Sequence, residues 1–112
     1  MNTFSKVPGR VTVTIDGKTV ADSTDVIALQ EGSLPTRYYF PKADIDFGLL
    51  EPTDTHTRCG WKGLASYWTA KVGESEYQDI AWAYEEPLPD AEIIAGRVCF
   101  YDEKVDLQVQ PA

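Results

Sequence analysis

The seven residues from His56 to Lys62, His56-Thr57-Arg58-Cys59-Gly60-Trp61-Lys62, gather a histidine, a guanidinium, a thiol, an indole and an ammonium. Gly60 and Gly63 bracket the end of this run and let backbone approach a ligand. Cys59 is the candidate nucleophile, since Arg58 beside it and Lys62 three positions on favour a thiolate. It is expected to react faster than Cys99, which lies in an apolar stretch. Arg58 and Lys62 can receive an anionic group, a phosphate or a carboxylate, beside an aromatic wall. Trp61 and Tyr67 supply that wall, with Arg37, Tyr38 and Tyr39 as additions from further back in the chain. In an extended segment Trp61 and Lys62 would point to opposite faces. A turn at Gly60 or Gly63 removes that restriction and lets Lys62 enter a pocket floored by aromatics. The competing reading is structural: the aromatics pack a core, and Arg58 and Lys62 pair with Glu51 or Asp54 because neither cation buries alone.

Elsewhere the chemistry is sparse. There is no G-x-x-x-x-G-K-[ST], G-x-G-x-x-G, H-E-x-x-H or G-x-S-x-G. His56 is the single histidine, so any Ser-His-Asp or Cys-His mechanism must pass through it. His56 and Cys59 have a ligand-like spacing, but a structural zinc site needs four ligands and only Cys99 could join them. No metal and no cofactor is predicted. In Asp44-Ile45-Asp46 two carboxylates on a strand would share one face and could hold a divalent cation for nucleotidyl transfer; in a turn they would not.

The elements that must position these residues read mainly as strands. Val11, Val13 and Ile15 alternate with Thr12 and Thr14, and Asp16-Gly17 is a strong turn signal, predicting a hairpin over 10–21. Further strands are expected at 26–29, 37–40, 64–72 and 77–82, with 97–101 and 104–109 as a closing pair around Asp102-Glu103. One helical turn fits 41–46, and one short helix fits 89–95, with Pro89 near its start and Gly96 as its stop. The expectation is a single domain over 1–112, with 1–8 as a flexible N-terminal segment. A chain of 112 residues exposes about 6,200 Å² when folded against about 18,000 Å² unfolded, enough to build a core without staples.

Charge narrows the partners. The 18 acidic and 10 basic residues leave −8, and the excess lies beyond residue 73. Such a chain repels duplex nucleic acid and anionic bilayers, and no apolar run is long enough to span a membrane. The N-terminus lacks a signal-like apolar stretch. A cytoplasmic location is expected, with Cys59 and Cys99 as free thiols.

Several motifs occur in one order: Glu51-Pro52-Thr53-Asp54; Cys59-Gly60-Trp61-Lys62-Gly63-x-Ala65-x-Tyr67-Trp68; Ala81-Trp82-x-Tyr84-x-x-Pro87-x-Pro89; Ile94-Ala95-Gly96; and Phe100-Tyr101. This set resembles the family called domain of unknown function 427, which carries a nucleotidyltransferase-like label, over residues 9–109. Gly60 stands where that family usually has Pro, which loosens the loop. The resemblance implies a compact fold of short coiled antiparallel sheets, similar to the zinc-binding β-tent group but without its paired C-x-x-C ligands. The function expected is a small-molecule or anionic-ligand binding module with a pocket around residues 56–68, lined by Arg37, Tyr39, Arg58, Cys59, Trp61, Lys62 and Tyr67. The alternatives are an enzyme, by metal-dependent nucleotidyl transfer or thiol chemistry at Cys59, and a structural or protein-interaction domain.

Overall fold

A computed structural model describes residues 2–112. Ten strands form two antiparallel sheets: β1 (Asn2–Lys6), β2 (Arg10–Ile15), β3 (Lys18–Ser23), β4 (Ile27–Glu31), β5 (Arg37–Phe40), β6 (Leu50–Cys59), β7 (Gly63–Val72), β8 (Ser75–Ala83), β9 (Val98–Phe100) and β10 (Asp106–Gln110). Seven strands lie in the order β1-β4-β5-β9-β8-β7-β6, and three in the order β10-β2-β3. The domain is mainly β, as the alternation predicts, and its accessible surface of 6200 Å² matches the size scaling. No helix among the described residues is long and apolar enough to cross a membrane.

The predicted hairpin is present, with Ile15 opposite Lys18. Asp16 (φ 50°) and Gly17 (φ 78°) both take positive φ, the conformation that a two-residue turn between twisted strands requires. Val11, Val13 and Ile15 turn inward against Phe40, Val98 and Phe100 of the larger sheet, forming an aliphatic core between the two sheets.

The larger sheet has a second buried face. Leu29, Tyr39, Tyr67, Trp82, Tyr84 and Cys99 cluster there, joined by Ala91 and Ile94. The sheet must curl to make this face. Phe4 on the first strand lies 5.9 Å, ring centre to ring centre, from Trp61, which sits between the last two strands in the order. The curl stops short of a closed barrel.

Three expectations are corrected. Residues 2–6 are not a flexible segment: all five pair with β4, whose edge would otherwise be bare, and Phe4 packs against the second core. Met1 lies outside the described residues. The stretches around Asp102-Glu103 do not pair with each other; β9 lies between β5 and β8, whereas β10 joins β2 in the other sheet. The segment at 89–95 is a 3-10 turn over Pro89–Ile94, kinked at Ala91. Leu50–Cys59 is a full strand despite Pro52, which an edge position tolerates, and its register shifts between Pro52 and His56.

Candidate functional site

Cys59 and Gly63 are the last pair of the β6–β7 ladder, so Gly60-Trp61-Lys62 is the turn between them. Gly63 has φ 114°, which L side chains rarely adopt, and its α-carbon faces the backbone of Pro87 and Leu88. Lys62 O accepts a hydrogen bond from Leu88 N at 2.9 Å, tying this tip to the stretch before Pro89. The turn frees Trp61 and Lys62 from opposite faces, and both reach the same residue. Lys62 Nζ donates to Glu31 Oε1 at 2.7 Å, and Trp61 Nε1 donates to Glu31 Oε2 at 3.1 Å. The ammonium lies 5.5 Å from the centre of the Trp61 ring and 5.4 Å from that of Tyr84. The Lys62 side chain is 9% exposed and that of Glu31 18%.

The partner is Glu31 rather than Glu51 or Asp54. Glu51 instead holds Lys71, at 2.8 Å. Nothing local to Glu31 marks it as a partner; the curl of the sheet brings it across.

Beneath the tip, strand register lays out a row across the sheet: Ile27, Tyr39, Cys99, Trp82, Tyr67. Tyr67 and Trp82 rings lie 6.4 Å apart, and Trp82 and Tyr101 4.5 Å. Tyr67 shares a hydrogen bond with Thr57 Oγ1 at 2.8 Å. Tyr39 is wholly buried, and its hydroxyl lies beside Trp82 without completing a hydrogen bond among the described residues. Burial pushes the hydroxyls of Tyr39 and Tyr84 and the thiol of Cys99 well above their ordinary pKa values. Arg37 stacks at the rim, 5.4 Å from the Trp82 ring, but Asp102 at 2.6 Å and Glu103 at 3.2 Å already neutralise it. It is therefore not a free anion receptor.

Six of the seven candidates thus collect on or around one face: Arg37, Tyr39, Cys59, Trp61, Lys62 and Tyr67. Cys59 is half-buried and free, packed at the margin of the cluster. Arg58 stands apart, exposed on the edge strand and without an ion pair among the described residues. His56 is exposed, with Nδ1 2.9 Å from Asp54 O. Among the described residues no three His, Cys, Asp or Glu side chains are grouped to hold a metal. Asp44 and Asp46 do not sit on one strand. Asp44 ends a 3-10 turn and accepts from Ser23 Oγ at 2.6 Å, and Asp46 accepts from Gly48 N at 3.0 Å. Asp44 thus ties its turn to the end of β3, and Asp46 caps its own turn.

Two open clefts of about 350 Å³ each meet at Trp61. One is lined by Gly60, Leu88, Pro89 and Asp90, the other by Asn2, Phe4 and Asp90. A larger one, about 540 Å³, opens at the β2–β3 turn beside Tyr77 and Glu103. It contains none of the candidate residues, and its size alone carries no chemistry.

One family profile matches residues 3–111, nearly the whole chain, the β6–β7 tip included. The chain belongs to that family, Domain of unknown function (DUF427). No curated protein matches it. The DUF427 match extends through both sheets, so the Glu31–Lys62 contact, 31 positions apart, lies inside one family unit.

Proposed function

We propose that this DUF427 domain is a small-molecule binding module with its site at the β6–β7 tip. An anionic group would meet Lys62, and a planar body would lie against Trp61 and Tyr84. Lys62 is the observation that supports this most. Its ammonium sits between two aromatic rings, and its charge is balanced by a single carboxylate delivered from another strand. The clefts on either side of Trp61 give a ligand access to that ring, next to Lys62 in the turn. The acidity of the chain speaks against duplex nucleic acid as the partner. A cytoplasmic site of action goes with this reading.

Neither enzyme alternative gains support. Nucleotidyl transfer would need Asp44 and Asp46 to face one cation, and each is engaged separately, Asp44 by Ser23 and Asp46 by Gly48 N. Thiol chemistry would need a base near Cys59, and the only histidine is exposed and turned to the Asp54 carbonyl.

Thermal denaturation against a panel of small planar acids, neutral compounds and nucleotides tests the module. A ligand at a hundred times its Kd adds about 2.7 kcal/mol. Trp61→Ala should abolish that response while the free variant remains folded. Stabilisation that persists in Trp61→Ala moves the site elsewhere, and metal-dependent turnover of a nucleotide replaces the module with the enzyme.

A further inference from the structure

Glu31 is held as a ligand would be. Each of its two oxygens takes one donor, Oε1 from Lys62 Nζ and Oε2 from Trp61 Nε1. The donors come from adjacent residues of one turn, and the acceptor comes from the end of a strand near the opposite edge of the sheet. An indole N–H and an ammonium aimed at the two oxygens of one planar group form a receiving site for a carboxylate. We infer that the Trp61–Lys62 turn receives the carboxylate of a small organic acid, and that Glu31 occupies this place as an internal competitor in the free protein. The inference rests on the binding-module reading and names its ligand class.

Three further observations favour a carboxylate monoanion over a phosphate. Two donors match two oxygens and leave a third oxygen without a partner. Asp90 lines both clefts beside Trp61 and has no ion pair among the described residues, so a dianion meets repulsion on entry. The protein as a whole carries −8. Glu31 ends β4 with its backbone held by Asn2 and Leu34, so only its side chain would have to swing aside. The exposed turn Gly32-Ser33-Leu34-Pro35 follows it directly, and it is itself only partly buried. Trp61 lines both clefts beside the ammonium, so an acid with an aromatic ring gains contact that acetate lacks.

Removing the internal competitor should expose the site. Benzoate, acetate and inorganic phosphate are titrated into the native chain, Glu31→Gln and Glu31→Ala, following the Trp61 indole N–H resonance and thermal stability. Glu31→Gln keeps the side-chain volume and guards against a variant that fails to fold. The expected result is benzoate binding at least tenfold tighter in the Glu31 variants than in the native chain, because a tethered competitor acts at millimolar effective concentration or higher. The indole resonance should shift in every chain that binds, acetate should be weaker than benzoate, and Lys62→Met should abolish the effect in both backgrounds. Equal benzoate affinity with and without Glu31 overturns the inference. So do phosphate binding as tight as benzoate and an unmoved indole resonance. Binding in the variants with none in the native chain also overturns it, since Glu31 is then a permanent strut. If the native chain binds other small molecules at Trp61 while the variants gain nothing for benzoate, this inference falls and the module stands. If no chain binds any small molecule, both fall.

Discussion

The two faces of the seven-stranded sheet are built from different chemistry. One packs Phe40, Val98 and Phe100 against Val11, Val13 and Ile15 of the smaller sheet, an interior of aliphatic side chains and two phenyl rings. The other buries Tyr39, Tyr67, Trp82, Tyr84 and Cys99, with the Lys62–Glu31 pair at its rim. A phenyl ring buries with no polar atom to satisfy. Each tyrosine, and above all the ion pair, loses water that the protein must replace. Both faces bury large side chains, but only the polar aromatic face must also satisfy hydroxyls and an ion pair. This difference ties the candidate site to one side of the sheet.

The largest effect is expected on the aliphatic face. Phe40 is fully buried and meets Phe100 edge-on at 5.9 Å. Phe40→Ala should cost about 3–5 kcal/mol in denaturant unfolding. A cost below about 1 kcal/mol would show that the interior between the sheets does not carry the fold. Lys62→Ala should cost roughly 3 kcal/mol by leaving the Glu31 carboxylate half-buried and unpaired. Glu31→Gln in the same chain should recover most of that loss. Without recovery, the cost comes from lost packing against Trp61 and Tyr84 rather than from charge, and the contrast between the faces weakens.

Alkaline pH separates the faces by titration. Cys99, Tyr39 and Tyr84 are neutral acids whose protons burial retains, and all three lie on the polar aromatic face. Above the ordinary values of 9.0 for the thiol and 10.0 for the phenols, the unfolded chain loses protons that the folded chain keeps. Rising pH then favours unfolding, with each group contributing about 1.4 kcal/mol per pH unit. Stability should begin to fall near pH 9 and steepen above pH 10. Replacing Tyr39 by Phe should make the decline above pH 10 shallower. A curve flat to pH 11 would mean that these groups titrate as freely as in the unfolded chain.

What the sequence made legible follows from locality. The β2–β3 hairpin was readable because alternation and turn chemistry agree within twelve residues. The Gly60–Gly63 turn was readable because its glycines stand beside the side chains that they redirect. Glu31 was not, since its role depends on the curl of seven strands, which no short window encodes. Asp102 and Glu103 read as a turn, yet they cancel the charge of Arg37 from 65 and 66 positions away. The strand at Asn2–Lys6 was missed for a related reason. Its sequence is short and weakly patterned, and it forms because β4 offers an unpaired edge. Tyr39, Tyr67 and Trp61 were recognisable as aromatics. Which face Tyr39 and Tyr67 shared followed only from register, and Trp61 joined them through the turn.

The smallest effect is the most discriminating. Tyr39 and Tyr67 share the polar aromatic face and differ in how their hydroxyls are satisfied. Tyr67 shares its hydroxyl with Thr57, and Tyr39 has no partner for its own. A buried hydroxyl without a partner costs about 1–3 kcal/mol relative to its absence, and a satisfied one contributes about 1 kcal/mol. Tyr39→Phe should therefore raise stability at pH 7 by about 1 kcal/mol, or about 4 °C in Tm for a domain of this size. Tyr67→Phe should lower it by a similar amount. Both changes remove one oxygen and leave the ring, so packing is held constant and the sign alone decides. If Tyr39→Phe destabilises instead, a water or a ligand atom supplies its bond in solution. The polar face would then be hydrated under the tip, which is where a small molecule would displace that water.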